Sequence, residues 1–246
     1  RSTISACVAP RRRGWSASAR HHRWCAEEAT PMPWLVAPVV NPGRLAGMAQ
    51  PSIRSQTAGL ILRPWRAEDA PQLVEAFADE EIQRWLLRSL DSEQEAVAWV
   101  ADWHDRWTRS AGASWAVTPG EDQDKVLGQV AFRSLHLNDG LAELSFWVIP
   151  EHRKHGIASS AATALVSWSV QDLGLQRLEI VHSVQNEAAC GAATLAGFRI
   201  EGVRRSLQLH TDGFHDMHLH ARLRTDDGLP VRHQPGPDRR HRPRRG

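Results

Sequence analysis

Tyrosine is absent from this chain of 246 residues, and lysine is nearly so: Lys125 and Lys154 stand against 28 arginines. Any proton transfer here runs without a phenol, and the arginine bias reads as genomic rather than functional. No run of 18 apolar residues occurs, so no segment is expected to span a membrane. The three cysteines, Cys7, Cys25 and Cys190, are odd in number and two of them lie in one N-terminal stretch. That argues against a disulfide framework and for a reducing compartment, the cytoplasm. The glycine-rich motifs GxxxxGK(S/T) and GxGxxG are also missing, which excludes the P-loop and the dinucleotide fingerprint.

Net charge is small, +2, but unevenly spread. Residues 1–56 carry 8 Arg against 2 Glu, residues 226–246 carry 6 Arg against 3 Asp, and the stretch between is acidic. In "TPMPWLVAPVVNPGR" prolines interrupt every apolar run, and "PGPDRRHRPRRG" offers nothing to bury. We therefore expect an acidic globular domain over 57–225 between disordered or non-native basic extensions, 1–56 and 226–246. Arg11 and Arg12 precede an apolar stretch as in a secretion signal, but His21, His22, Arg23, Glu27 and Glu28 intervene, which is the wrong anatomy. An organellar transit peptide is the other targeting reading, and a plain extension fits better. Met32 and Met48 precede the first good strand, so residues 1–47 are a segment whose place in the natural protein is open. The arginine tails suggest nucleic acid. However, the C-terminal one lacks interleaved aromatics and both flank an acidic body, which argues against that partner.

The middle is legible by period. "LILRPW" reads as a strand, and "EDAPQLVEAFADEEIQRWLL" as two helices with Asp69 as N-cap. Ser92 and Glu95 form a capping box ahead of a helix bearing Ala96, Trp99, Val100, Trp103 and Trp107 on one face. Strands "SWAVT" and "VLGQVAFRSLHL" follow, then an Asn138-Asp139-Gly140 turn and a strand over 141–149. A helix over 157–173 stops at Gly174. "QRLEIVH" is a strand, Glu187 to Gly197 a helix, and two strands meet at Thr211-Asp212-Gly213. The order β-α-α-β-β-β-α-β-α-β-β implies a mixed sheet with helices on its faces.

Between the strand 141–149 and the next helix lies "PEHRKHGIASS". A glycine at the start of a helix presents free N–H groups and the positive end of the helix dipole, while Arg153, Lys154 and His155 add side-chain charge. This is an anion cradle suited to a diphosphate; a solvated basic turn is the plain alternative.

"RKHGIA", Arg153 to Ala158, fits (Q/R)xxGx(G/A), the acyl-CoA motif of the GNAT superfamily of N-acetyltransferases. "LILRPWRAEDA", "AELSFWVIPEHR", "NEAACGAATLAGF" and "EGVRR" with "DGFHDMHLHARL" resemble, in order, the RimJ/RimL branch, the ribosomal-protein N-terminal acetyltransferase type. The resemblance covers residues 60–224. It implies a GNAT fold of the α/β (α+β) class, a mixed, mostly antiparallel central sheet with splayed strands and helices on both faces. It further implies an acetyl-CoA-dependent enzyme acting on a primary amine. The backbone of Trp147 and Val148 would pair with the pantetheine arm, and Arg153, Lys154, His155, Gly156, Ile157 and Ala158 would hold the pyrophosphate. Asn186 would also contact the co-substrate. Two departures stand out: Lys154 occupies a position where many members have glycine, and Ala193 stands where many carry the tyrosine acid.

A thioester is already activated, so positioning and one oxyanion donor, assigned to the N–H of Val148, supply most of the rate. Glu143 is the candidate general base, acting through water, with an exposed structural carboxylate as its plain reading. Solvent can protonate the departing thiolate. Cys190 reads as core in an Ala-rich helix rather than as a nucleophile. His210, His215, His218 and His220 crowd the last hairpin, but loose spacing and the lack of nearby cysteines argue against a metal, so none is expected. Of the eleven tryptophans, mostly core, Trp85 and Trp147 are candidates to line an acceptor cleft. The expected acceptor is a protein N-terminal α-amine or a small-molecule amine, and the protein a monomer or homodimer. The alternative is a non-catalytic acyl-CoA sensor with the same cradle.

Overall fold

A computed structural model describes residues 37–56 and 58–227. The strands are β1 (Ile53–Arg54), β2 (Leu60–Pro64), β3 (Ala113–Pro119), β4 (Gly128–His136), β5 (Leu141–Val148), β6 (Arg177–Ser183), β7 (Arg199–His210) and β8 (Gly213–Leu223). The helices are α1 (Ala70–Phe77), α2 (Glu80–Leu86), α3 (Glu93–Thr108), α4 (Ile157–Trp168) and α5 (Glu187–Leu195). The eight strands form one sheet in the order β1-β2-β3-β4-β5-β6-β8-β7. Every neighbouring pair is antiparallel except β5 and β6. No described helix is long and apolar enough to cross a membrane.

The expected element order holds from β3 onward; before it the structure adds β1 and has three helices, α1 to α3, where the order counted two. Asp69 does precede α1, but its side chain makes no cap bond. Its two oxygens instead accept from Nη1 and Nη2 of Arg63, both at 2.7 Å, in a buried bidentate pair. The Ser92 Oγ accepts from the Glu95 amide as expected, whereas the Glu95 carboxylate accepts from the amide of Asp91, one residue outside the box. The helix over 157–173 changes pitch at Ser169, becoming a π-turn over Ser169–Leu173 that ends on Gly174 at φ +90°.

Two apolar clusters lie against the sheet. One joins Trp107, Trp115, Phe132 and Leu144 to Leu165, Val166 and Val170 of α4 and its extension. The other joins Leu73 and Phe77 of α1 and Trp99 of α3 to Trp65 and Trp147 of the strand side. Trp147 is only 6% exposed, with Trp65 stacked at 6.3 Å and Phe77 edge-on at 5.7 Å.

The boundary expected at residue 56 fails for residues 37–54. Val40, Leu45 and Ile53 are buried in the first cluster, and Ile53–Arg54 pairs with Leu62 and Ile61 of β2. The indole N–H groups of Trp107 and Trp115 donate to the carbonyls of Met48 and Pro51. Single apolar anchors between prolines carry no period, which is why this segment reads as tail. At the other end the chain continues as a short 3-10 turn, Arg224–Asp227. Residues 1–36 and 228–246, the greater part of the expected extensions, lie outside the described residues.

Candidate active site

Strands β5 and β6 run parallel for four residue pairs only, Leu141 with Arg177 through Leu144 with Ile180. Beyond this, β6 stays with β8 to Ser183 and β5 stays with β4 to Val148, so the two separate. The Ile149 amide donates to the Leu127 carbonyl, 3.0 Å. Alternation along an antiparallel pair then aims the backbone of Trp147 at Gln129, and that of Phe146 and Val148 away from β4 into the gap. Trp147 was expected to offer its backbone there; the residues that face the gap are Phe146 and Val148. Opposite Val148 sits Gly128, where a Cβ would lie 2.3 Å from the Trp147 carbonyl oxygen. Only glycine lets β4 approach β5 so closely at this point.

The gap opens into a cavity of about 450 Å³. One wall is the Arg153–Ser159 turn into α4. Gly156 adopts φ +74° at the helix N-cap, and a Cβ there would meet nothing nearer than the Ser159 hydroxyl at 3.9 Å. The first intrahelical bond of α4 runs from Ser160 to Gly156, which leaves the amides of Ile157, Ala158 and Ser159 without a helical partner. Lys154 sits at φ +64°, a conformation that costs a side-chain-bearing residue but adds charge beside these donors. Lys154 and His155 are exposed.

Arg153 lines the cavity, but its guanidinium is engaged elsewhere. Nε donates to the Val148 carbonyl (3.1 Å), Nη1 to Glu81 (2.6 Å) and Nη2 to Asp79 (2.5 Å). Burial works against the Asp79 charge, yet Arg153 and the Ile82 and Glu81 amides outweigh it and hold that carboxyl below its ordinary range. Asp79 also caps α2 by accepting from Ile82, 2.8 Å. Arg153 thus ties the turn into α4, the end of β5 and the start of α2 together.

The opposite wall is α5. Asn186 caps it, its Oδ1 accepting from Ala189 at 2.9 Å, which leaves the side-chain NH2 for the cavity. Ala193, where an acid was looked for, is fully buried against the core, and it is not among the residues lining the cavity. Cys190 also stays off the cavity wall, with Sγ 3.7 Å from His220 Nε2.

A second, smaller cavity of about 70 Å³ continues between the splayed strands, sharing Trp85, Phe146 and Asn186 with the first. Trp85, expected near the acceptor, therefore sits at the junction, with the Arg84 guanidinium 4.7 Å above its ring. Glu143 lines neither cavity; its nearest charged partner is Arg133, 3.7 Å away, which does. His210 lines the small cavity, buried, and stacks on His215 at 4.1 Å, with an Arg84 backbone group as a polar neighbour from outside the hairpin. Burial pushes the His210 imidazole below its ordinary range; the His215 and Arg84 charges add to this, while an Arg84 backbone group and Asp212 oppose it. His210 was weighed as a metal ligand; its place on the wall depends on strand register, which spacing alone does not carry.

A helix N-terminus over a glycine turn, beside a strand pair that parts half-way, makes an anion cradle next to strand backbone free to pair with an extended ligand. The acetyltransferase (GNAT) domain family matches residues 59–199, and the chain belongs to that family. The uncharacterized N-acetyltransferase YoaA of Bacillus subtilis is 27% identical over 167 residues, 68% of this chain and 94% of that protein. RimL, the ribosomal L7/L12 alpha-N-protein acetyltransferase solved with coenzyme A, superposes with a TM-score of 0.62. It is 21% identical and covers 70% of this chain and 98% of its own. The Salmonella typhimurium acetyltransferase that modifies the N-terminal serine of L7/L12 gives 0.62 at 20% identity, covering 70% and 99%. The fold is thus the GNAT fold, and the chain is an N-acetyltransferase of the acetyl-CoA-dependent kind.

Proposed function

We propose that this enzyme moves the acetyl group of acetyl-CoA onto a primary amine, an N-terminal α-amine of a protein or a small-molecule amine, by direct attack in a ternary complex. The observation that carries this reading is the parting of β5 and β6 beside the uncapped start of α4. The pyrophosphate is assigned to the amides of Ile157 and Ala158, with Gly156 keeping the approach open and Lys154 adding charge; His155 does not line the cavity. The pantetheine arm is assigned to the backbone of Phe146 and Val148, and the Asn186 amide to its rim. RimL, which acts on a ribosomal protein, supports the α-amine acceptor. The reducing, cytoplasmic setting follows from the cysteine pattern alone.

In the reaction the amine lone pair attacks the thioester carbonyl, the C–N bond forms and the C–S bond breaks. The Val148 N–H faces the gap and donates to the developing oxyanion. An α-amine, pKa about 8, is partly neutral at pH 7 and needs only a mild base. His210 meets that need better than Glu143 does, because burial favours its neutral form and it lines the small cavity, whereas Glu143 lines neither. Glu143 is assigned the steadying of Arg133. The thiolate leaves toward the larger cavity, where water protonates it.

The test is transfer of labelled acetyl from acetyl-CoA to a library of peptides with free and blocked N-termini, alongside small amines. Labelling that requires a free amine supports the proposal. Coenzyme A binding with no transfer to any amine would replace it with the sensor reading.

A further inference from the structure

The four histidines of the last hairpin part company in the fold. His210 and His215 stack on each other, and His215 pairs with Asp212 at 2.7 Å. His218 and His220 instead meet His182 of β6 and Cys190 of α5, and the potential ligand atoms of these four all lie within 4.8 Å of one another. The register explains the meeting: His182 is directly opposite His218, and Ile180 opposite His220, so three imidazoles share the sheet face that α5 covers with Cys190.

We propose that His182, Cys190, His218 and His220 form a structural zinc site. Neutral imidazole and thiolate are zinc's preferred ligands, and four of them with no open position make a closed tetrahedral site. The His182 Nε2 to His220 Nε2 distance is 3.0 Å and Cys190 Sγ lies 3.7 Å from the same nitrogen. The edges of a tetrahedron built on Zn–N of about 2.0–2.1 Å and Zn–S of about 2.3 Å are about 3.3 and 3.6 Å. The separations that run up to 4.8 Å close to that size with ring movements of about 1 Å.

The surroundings support ligation. His182 Nδ1 is 2.8 Å from the Ser183 carbonyl, so it carries the proton and leaves Nε2 as a lone pair aimed at the cluster. His220 is fully buried beside a Phe198 backbone group, and the His218 Nδ1 is buried without a hydrogen-bond partner among the described residues. Without an ion, two imidazole nitrogens face each other with one proton between them, and a thiol points at the pair. With the ion, the thiol proton leaves to solvent, His220 moves its proton to Nδ1, and each ring offers one lone pair. The bond set ties α5, a wall of the larger cavity, to β6 and β8 and leaves no coordination position for substrate.

The experiment uses the full chain with Cys7 and Cys25 replaced by serine, so that Cys190 is the single thiol. After chelator treatment, cobalt(II) is titrated in. The expected result is one equivalent bound with a thiolate-to-cobalt charge-transfer band and strong tetrahedral d–d bands, both bleached by zinc. Cys190→Ser should abolish the charge-transfer band, and His218→Gln should weaken cobalt binding at least by the roughly 10- to 100-fold that even outer-shell partners cost. Zinc should raise the unfolding temperature of the parent and not of Cys190→Ser. Absence of the band in a parent folded by near-ultraviolet circular dichroism overturns the site, as does a band and affinity unchanged in both variants. None of these readouts depends on acetyl transfer.

Discussion

At the scale of single residues, the basic cluster divides its labour. The sequence marks Arg153, Lys154 and His155 as three cations beside one turn, and their charge was readable. That Arg153 spends its donors on Val148, Asp79 and Glu81 was not, because Asp79 and Glu81 lie more than seventy residues away along the chain. Arg153→Ala should therefore weaken coenzyme A binding by loosening the turn, not by removing a phosphate contact. Calorimetry beside thermal unfolding distinguishes the two: weaker coenzyme A binding with a lowered unfolding temperature is expected, and weaker binding at an unchanged unfolding temperature would restore the direct contact. A second expectation concerns the base. With the His210 pKa held low, its neutral form persists at pH 6.5 and is lost only as pH falls further, so kcat/KM, already falling as an α-amine protonates below about pH 8, should gain a second, steeper acid limb below pH 6.5. His210→Gln should remove that limb and lower kcat by about 10². Glu143→Gln should keep the limb. The reverse pattern in the two pH profiles would return the base to Glu143.

Helices and strands were mostly legible because their patterns are strong: α3 repeats Trp99, Val100 and Trp107 on one face, β3 and β4 are short apolar runs buried on both faces, and β6 alternates. What escaped was short or relational. β1 has two residues, too few for a period, and the parting of β5 from β6 is a matter of partner choice that neither strand's composition states. The candidate site was half readable for the same reason. The α4 turn announces itself by Gly156, while the acceptor walls on α2, β6 and β7 come together only through register. The start of α4 gives the prediction at this scale. Gly156→Val puts a β-branched residue at φ +74° and a side chain over the free amides. Coenzyme A affinity should fall at least tenfold, with the unfolding temperature also lowered by the strain, about 1 kcal/mol or more. Unchanged affinity by calorimetry would remove the turn from the binding site.

For the molecule as a whole, the N-terminal segment decides where the domain begins. Leu45 is fully buried, and Val40 and Ile53 nearly so, in the same cluster that α4 closes. Loss of one such leucine typically costs about 2–5 kcal/mol, a large part of the usual stability of a domain. A chain starting at residue 57 should therefore unfold at much lower denaturant than one starting at residue 37, and that second chain should match the full length. Equal midpoints for all three would place residues 37–56 outside the cooperative unit. The parted strands have a consequence for turnover. If the pantetheine arm is held by the Phe146 and Val148 backbone, the grip falls on a part of the molecule that is the same before and after transfer. Substrate and product are then held nearly alike, and the binding energy of the arm contributes little to selecting the acetylated form. Free coenzyme A should compete with acetyl-CoA at an inhibition constant close to the KM of acetyl-CoA, and its departure, rather than the chemistry, should set the pace on a good acceptor. A pre-steady-state burst of acetylated product would register that slow exit directly.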